Sequence, residues 1–308
     1  MILDTMTKFE VMQSLRNDFD TDVLPFFYNN ITKYHALIKT KSEREHKTIF
    51  LPKIQLKSKN ETEFTIKVKG NKDEYSVNFI SEFVWNRRHC YATFFEDNTI
   101  VIYQQHCLER FAERVLLDNT ISPKDVMYKH IIPNQNSSFI IVLPSPKYKF
   151  DWYHAAANAL FLGDFDHPTK KQRNLNGAWI NTCISFNEAH ITQYKIMETM
   201  HQLQEFVSEL GFDPIRDKSR FETIKRRLLL NKEMEVKVKA YFKKTYLLFQ
   251  LSFDYPYIKE LFSDENTRSM DYCKNILQND FSYSIEELSP YDEVDGVARQ
   301  GEIDYQGQ

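Results

Sequence analysis

The spacing of apolar residues changes along the chain, and the changes mark predicted secondary structure. In the first 45 residues apolar side chains recur at three-to-four spacing, which predicts helices. From about residue 47 the period becomes two. Phe64, Ile66 and Val68 alternate with polar residues, and alternation resumes at Tyr75 after the polar turn 70–73. These patterns predict one β-hairpin here and a second one with strands 89–95 and 99–103.

A pair of helices is predicted to follow the second hairpin directly. Residues 105–117 have apolar side chains on one side at 100° per residue and charged ones on the other. Ser122 before Pro123 is typical of an N-cap, so a second, short helix is expected to begin there and to end before Pro133. Three short apolar runs come next, at 138–143, within 152–165 and at 178–186, and at least two are predicted strands.

The chain beyond Ile191 is predicted to be mostly helical, with its first helix ended by Gly211 and Pro214. The expected fold class is therefore α+β: a central antiparallel sheet with a helix pair, N-terminal helices and a mostly helical C-terminal region. The predicted divisions are an N-terminal helical region at 1–46, a central α+β domain at 47–190, a helical region at 191–283 and a disordered acidic tail at 284–308.

Composition excludes several classes of protein. The chain has 7 glycines in 308 residues, and no two are closer than five residues, so neither a GxGxxG turn nor a P-loop is present. The four cysteines lie at least 17 residues apart, which rules out a CxxC motif and suits a reducing cytoplasm. The first residues lack the apolar stretch of a secretory signal, and no apolar run nears the roughly 20 residues of a membrane span. We therefore expect a cytoplasmic protein with no membrane partner.

Charge is strongly segregated in the C-terminal part. Residues 216–244 contain 11 Lys or Arg and 4 Asp or Glu, whereas residues 252–308 contain 4 and 13. Because phosphates attract cations and aromatic rings stack on bases, the basic segment with its rings Phe221, Tyr241 and Phe242 predicts a nucleic-acid interface. Its candidate binding residues are Lys225, Arg226, Arg227, Lys243 and Lys244. The alternative is that the acidic residues downstream neutralise this surface, or cover it and inhibit binding.

A column of His106, Arg110 and Arg114 is the first candidate for catalysis. At spacings of i, i+4 and i+8 these residues share one face of the predicted 105–117 helix. Guanidinium groups bind phosphate oxygens, and an imidazole exchanges protons near neutral pH, which together suit metal-free RNA cleavage. The alternative is a solvated helix face on which Arg110 pairs with Glu113.

The block around this helix resembles the small toxins of the RelE and BrnT superfamily. The segment from Gln105 to Val115 is followed by a capped second helix and by strands ending near Trp179 to Ile184. In that family two helices precede an antiparallel sheet, and the first helix often reads H-x-x-x-R-x-x-x-R. The resemblance covers about residues 99–188. It implies a ribonuclease-like activity on RNA, with His106, Arg110 and Arg114 at the matching positions.

Two metal sites are weaker alternatives. Asp164 and Asp166 would share a face of an extended segment, so with His167 they predict a site for Mg²⁺, the alternative being a polar turn. If the numbers of paired residues in the second hairpin sum to 195, His89 lies opposite His106. With Cys90 and Cys107 adjacent to them, these residues would suggest a zinc site. Neighbouring strand residues face opposite sides, however, so coincidence is the favoured interpretation.

These observations favour a nucleic-acid-interacting protein, with RNA a more natural partner than DNA. A metal-independent ribonuclease without a cofactor is the enzymatic form of that hypothesis. A Mg²⁺-dependent nuclease is one alternative. A non-enzymatic protein that binds a protein partner through its helices is the other.

Overall fold

The computed structural model describes residues 2–95, 99–133, 139–142, 152–156, 159–166, 176–185, 188, 191–253 and 264–284. The chain divides into two compact units. The first comprises residues 1–132 and 163–182, and the second comprises residues 133–162 and 183–308. This division differs from the boundaries predicted at residues 46 and 190, since the N-terminal helices share a core with strands of the first unit.

The first unit begins with two helices joined by a π-helical turn. Helix α1 (Lys8–Asp18) starts with a reciprocal capping box between Thr7 and Glu10, and the π-helical turn (Phe19–Val23) leads into α2 (Leu24–Glu45). Six strands follow: β1 (Ile49–Phe50), β2 (Ile54–Lys57), β3 (Glu63–Gly70), β4 (Tyr75–Trp85), β5 (Arg88–Phe94) and β6 (Thr99–Gln104). Helix α3 (Gln105–Arg114), helix α4 (Pro123–Val126) and a second π-helical turn (Met127–Ile131) complete this stretch.

The sheet of the first unit confirms both predicted hairpins. Its strand order is β1, β3, β4, β5, β6, β10 (Asn176–Ile184) and β9 (Ala159–Asp166), and β2 also pairs with β3. Strand β10 runs parallel to β6, with Ile180 opposite Tyr103. The α+β fold class is thus confirmed, but the sheet is mixed where an antiparallel one was predicted. The predicted N-cap is confirmed as well, because the Ser122 side chain accepts from the Asp125 amide.

Helices α1 and α2 pack on one face of this sheet. The core they form is buried and apolar, with members Val11, Met12, Leu15, Phe27, Ile38, Phe64, Ile66, Val68 and Trp179. Asp18, at the end of α1, is a fully buried carboxylate in this unit. It accepts hydrogen bonds from Ser58 Oγ at 2.9 Å, Asn60 Nδ2 at 2.6 Å and Thr62 Oγ1 at 2.6 Å. These bonds attach the turn between β2 and β3 to α1.

The second unit combines strands with the predicted C-terminal helices. Strands β7 (Phe139–Val142) and β8 (Trp152–Ala156) are antiparallel. The helices of the described residues are α5 (Ile191–Leu210), α6 (Lys218–Leu229), α7 (Lys232–Phe253) and α8 (Asp264–Phe281). None of the helices in the described part of the chain is long and apolar enough to cross a membrane. The acidic tail predicted from residue 284 lies outside the described residues beyond its first position.

We expect the stability of the second unit to fall in mild acid because of His154. Its imidazole is completely buried on β8, and burial lowers its pKa from 6.5 to about 4. The neutral ring therefore contributes stability that is fully present above pH 6.5 and is lost as the pH falls towards 4. The loss between pH 7 and pH 5 is about 2 kcal/mol in the free energy of unfolding. Urea titrations at both pH values measure it, and His154→Leu should abolish this component. An unchanged pH dependence in that variant would contradict the assignment.

Candidate nucleic-acid interface

The basic segment is organised around helix α6. The Asp217 side chain caps the helix by accepting from the Arg220 amide at 3.1 Å. On one side of the helix Phe221 is completely buried against Phe242, with ring centroids 5.1 Å apart. This packing fixes the rotation of α6, so that the opposite side faces solvent.

The exposed face of α6 presents three arginines, Arg220, Arg226 and Arg227. Within residues 191–253 and 264–284 and the other described ranges, Arg226 and Arg227 have no hydrogen bond or ion pair with another side chain. The guanidinium carbon of Arg220 lies 4.5 Å from the ring centroid of Phe212, a cation–π contact. We call these three residues the α6 arginine face. It combines forked hydrogen-bond donors with uncompensated positive charge.

Lys225 differs from its arginine neighbours because its charge is already neutralised. Its ammonium pairs with Glu222 at 2.9 Å and with Asp280 of α8 at 3.0 Å. Burial favours the neutral amine, but the bonds to Glu222 and Asp280 outweigh it and raise the pKa of Lys225. In the ion pair between Lys225 and Asp280, the acidic C-terminal segment does neutralise a charge of the basic segment.

The other predicted members of the interface also lie within the helical packing. Lys244 donates to Gln202, and the Lys243 ammonium lies 5.8 Å from the ring centroid of Tyr283. The aromatic prediction is wrong, because Phe221, Tyr241 and Phe242 are at most 2% exposed and belong to the core of the unit. Their spacing reflects core packing, so they are not available to stack on bases.

The His106, Arg110 and Arg114 column lies on the solvent side of α3. His106 is exposed and the two arginines are partly exposed, while Cys107, Leu108, Phe111 and Ala112 bury the other side. Arg110 forms an ion pair with Glu113 at 2.7 Å, the contact that the alternative interpretation expects. A phosphate at this column would have to compete with that carboxylate.

Residues 99–188, for which the sequence predicts a resemblance to the RelE and BrnT toxins, are divided between the two compact units. Helices α3 and α4 belong to the first unit, and β7 and β8 belong to the second. The ribonuclease interpretation therefore stays a prediction that rests on the resemblance.

Asp164 is an ion-pair partner in this structure. It lies on β9 and contacts Lys8 Nζ at 2.9 Å, and it accepts from Asn181 Nδ2 at 2.9 Å. Asp166 follows on the same strand, as the extended spacing predicts, whereas His167 lies outside the described residues. No group of three His, Cys, Asp or Glu side chains suited to a metal occurs within the described ranges. The magnesium site stays a prediction.

A chain of polar contacts continues from Asp164 across the ends of the parallel strands β6 and β10. Asn181 accepts from Gln104 Nε2 at 2.9 Å, and Gln104 accepts from Arg88 at 3.5 Å. Arg88 and Gln104 line a small open pocket together with Trp85, Asn86 and Cys90. The contacts join α1 to four strands, which is a structural role for Asp164.

The zinc alternative at the β5–β6 hairpin is wrong in its register. Cys90 lies opposite Gln104 and Tyr91 opposite Tyr103, so paired residue numbers sum to 194. His106 belongs to α3 and does not pair with His89. Cys90 is buried, and burial raises the pKa of its thiol to about 12. A thiol held in its neutral form is a poor metal ligand.

No protein-family model, curated protein or solved structure matches this chain.

Proposed function

We propose that this chain binds RNA through the α6 arginine face. The observation that carries the proposal is the exposure of Arg220, Arg226 and Arg227 on one capped helix, with no carboxylate paired to Arg226 or Arg227 in the described part of the chain. Arginine donates paired hydrogen bonds to phosphate oxygens, and such contacts release counterions from the nucleic acid. RNA is favoured over DNA by the resemblance of residues 99–188 to ribonucleases.

We expect the arginines to contact the sugar–phosphate backbone of the RNA and not its bases. The rings nearest in sequence are buried, which removes the stacking that usually accompanies sequence-tolerant binding of single strands. Affinity should therefore depend strongly on salt and weakly on base sequence. The proposal does not require cleavage.

Arg226→Ala/Arg227→Ala is expected to weaken binding of a labelled 20-nucleotide RNA about tenfold or more at 50 mM salt, because two phosphate contacts are lost. Fluorescence anisotropy with the full chain measures the affinity. Lys39→Ala/Lys41→Ala, on the exposed side of α2, removes the same charge and should change affinity less than twofold. Equal loss in both variants would contradict a role specific to the α6 arginine face.

The same samples test the enzymatic hypotheses. Gel analysis of the RNA, with and without EDTA, reports cleavage. EDTA-resistant cleavage that is lost in Arg110→Ala/Arg114→Ala would support the toxin-like ribonuclease, and EDTA-sensitive cleavage lost in Asp166→Asn would support the magnesium site. RNA that stays intact in these assays would support binding without cleavage. If the chain binds no RNA but forms a stable complex with another protein, the non-enzymatic protein-binding alternative would be favoured.

A further inference from the structure

Three lysines surround the ring of Tyr128 in the first unit, a place to which the sequence analysis assigned no function. The ammonium nitrogens of Lys67, Lys53 and Lys124 lie 4.5, 4.6 and 5.8 Å from the ring centroid. Lys53 precedes β2, Lys67 lies on β3 and Lys124 on α4, so separate elements bring the charges together. We call these residues the Tyr128 cluster.

The positive charges of the Tyr128 cluster are close and only partly compensated. Because the nitrogens of Lys53 and Lys67 are both near one ring centre, they lie at most about 9 Å apart. Two carboxylates lie nearby. Glu82 is shared by Lys124 at 2.9 Å and the Tyr128 hydroxyl at 2.8 Å, and Asp125 pairs with Lys129 at 3.1 Å and is close enough to Lys53 for that charge to help lower the Asp125 pKa. Lys53 and Lys67 have no carboxylate within ion-pair distance among the described residues. The cluster therefore retains a net positive charge.

Lys67 is held in place by the fold. Its ammonium donates to the Tyr128 carbonyl at 3.0 Å, and the side chain is only partly exposed. Burial and the nearby charges of Lys53 and Lys69 lower the pKa of Lys67. An anion at this position would remove that repulsion, and the ordered ammonium would meet it without a large loss of side-chain entropy.

Neutral donors lie on the same face of the sheet. Lys67 is opposite Asn78 and Lys69 is opposite Ser76 in the β3–β4 register, and directly opposed residues share a face. The Ser76 hydroxyl is buried and has no hydrogen-bond partner within the described ranges, so the Asn78 amide is the neutral donor that the argument uses. Ammonium groups and an amide donor on one face of a sheet are a combination that binds phosphate oxygens.

We propose that the Tyr128 cluster, with Lys69, binds a phosphate group, either of a free polyphosphate or of a nucleic-acid backbone. The ammonium groups of Lys53, Lys67 and Lys124 lie 4.5–5.8 Å from the centre of one ring, so a phosphate beside that ring would meet several positive charges, which suits an ion of more than one negative charge. Lys53 and Lys124 are exposed and leave the cluster open to solvent. This site lies in the first unit and does not depend on the α6 arginine face.

Isothermal titration of the full chain with tripolyphosphate tests the site. Lys53→Ala/Lys69→Ala should reduce affinity at least tenfold, whereas the matched control Lys39→Ala/Lys41→Ala should stay within twofold of the unchanged protein. An affinity of Lys53→Ala/Lys69→Ala within twofold of the unchanged protein would overturn the proposal. So would equal losses in both variants.

A second variant, which removes a negative charge, tests the proposal if Lys53→Ala/Lys69→Ala does not fold. Glu82→Gln keeps an acceptor for the Tyr128 hydroxyl but removes the negative charge, so tripolyphosphate should bind several-fold more tightly. Unchanged or weaker binding would overturn the proposal.

An RNA arm separates the two sources of phosphate. Loss of RNA affinity in Lys53→Ala/Lys69→Ala identifies the backbone as a ligand, and retained RNA affinity with lost tripolyphosphate affinity identifies a free polyphosphate. Arg226→Ala/Arg227→Ala should keep its tripolyphosphate affinity. Failure of RNA binding at α6 therefore leaves this result unaffected.

Discussion

Asp18→Ala is expected to lower the free energy of unfolding by about 3–5 kcal/mol. The carboxylate is fully buried and accepts from Ser58, Asn60 and Thr62. Its removal leaves buried donors without an acceptor and releases the turn between β2 and β3 from α1. Urea unfolding followed by circular dichroism gives the free energy.

Asp20→Ala provides the control for this change. Asp20 lies two residues further along, is exposed and pairs with Arg16 at 2.9 Å. Loss of such a surface pair should cost less than about 1 kcal/mol. Similar costs for the two variants would show that the buried hydrogen bonds do not fasten the turn to the helix.

Gly163→Ala is expected to destabilise the first unit by about 3 kcal/mol or more. A Cβ at residue 163 would lie 2.1 Å from the Trp179 carbonyl oxygen on β10. The obstacle is backbone, so β9 and β10 must separate locally before the methyl group fits. Thermal or urea unfolding of the full chain measures the loss.

Gly211→Ala is the matched glycine control. Gly211 follows α5 with φ of 76°, and a Cβ there would meet nothing within 4 Å. The substitution should therefore cost only the strain of a left-handed residue, about 1 kcal/mol. A Gly163 variant no less stable than this control would contradict the close approach of the two strands.

Local periodicity predicted those elements whose partners lie nearby in the chain. The β3–β4 and β5–β6 hairpins, the Ser122 cap and helix α5 all depend on neighbouring residues, and all are present. The parallel pairing of β10 with β6 joins segments about 80 residues apart, and no local pattern encodes it.

The same distinction explains which parts of the candidate sites the sequence predicted: features within one segment were predictable, and contacts between distant segments were not. The charge pattern predicted that Lys225, Arg226 and Arg227 belong to one basic interface, but not that Lys225 pairs with Asp280. The Tyr128 cluster was missed because its three lysines and its ring come from four separate segments of the chain. A signal for Asp18 was present, since a carboxylate at this position interrupts the apolar stripe of Val11 and Leu15.

The salt dependence of RNA binding by the unaltered full chain tests the central claim most directly. Anisotropy titrations between 50 and 200 mM salt should give a straight line of log affinity against log salt, with a slope of about −2 or steeper for single-stranded RNA. Arg226→Ala/Arg227→Ala should make that slope shallower by about 1 or more. No measurable binding at 50 mM salt, or a slope that the arginine substitutions leave unchanged, would contradict the account.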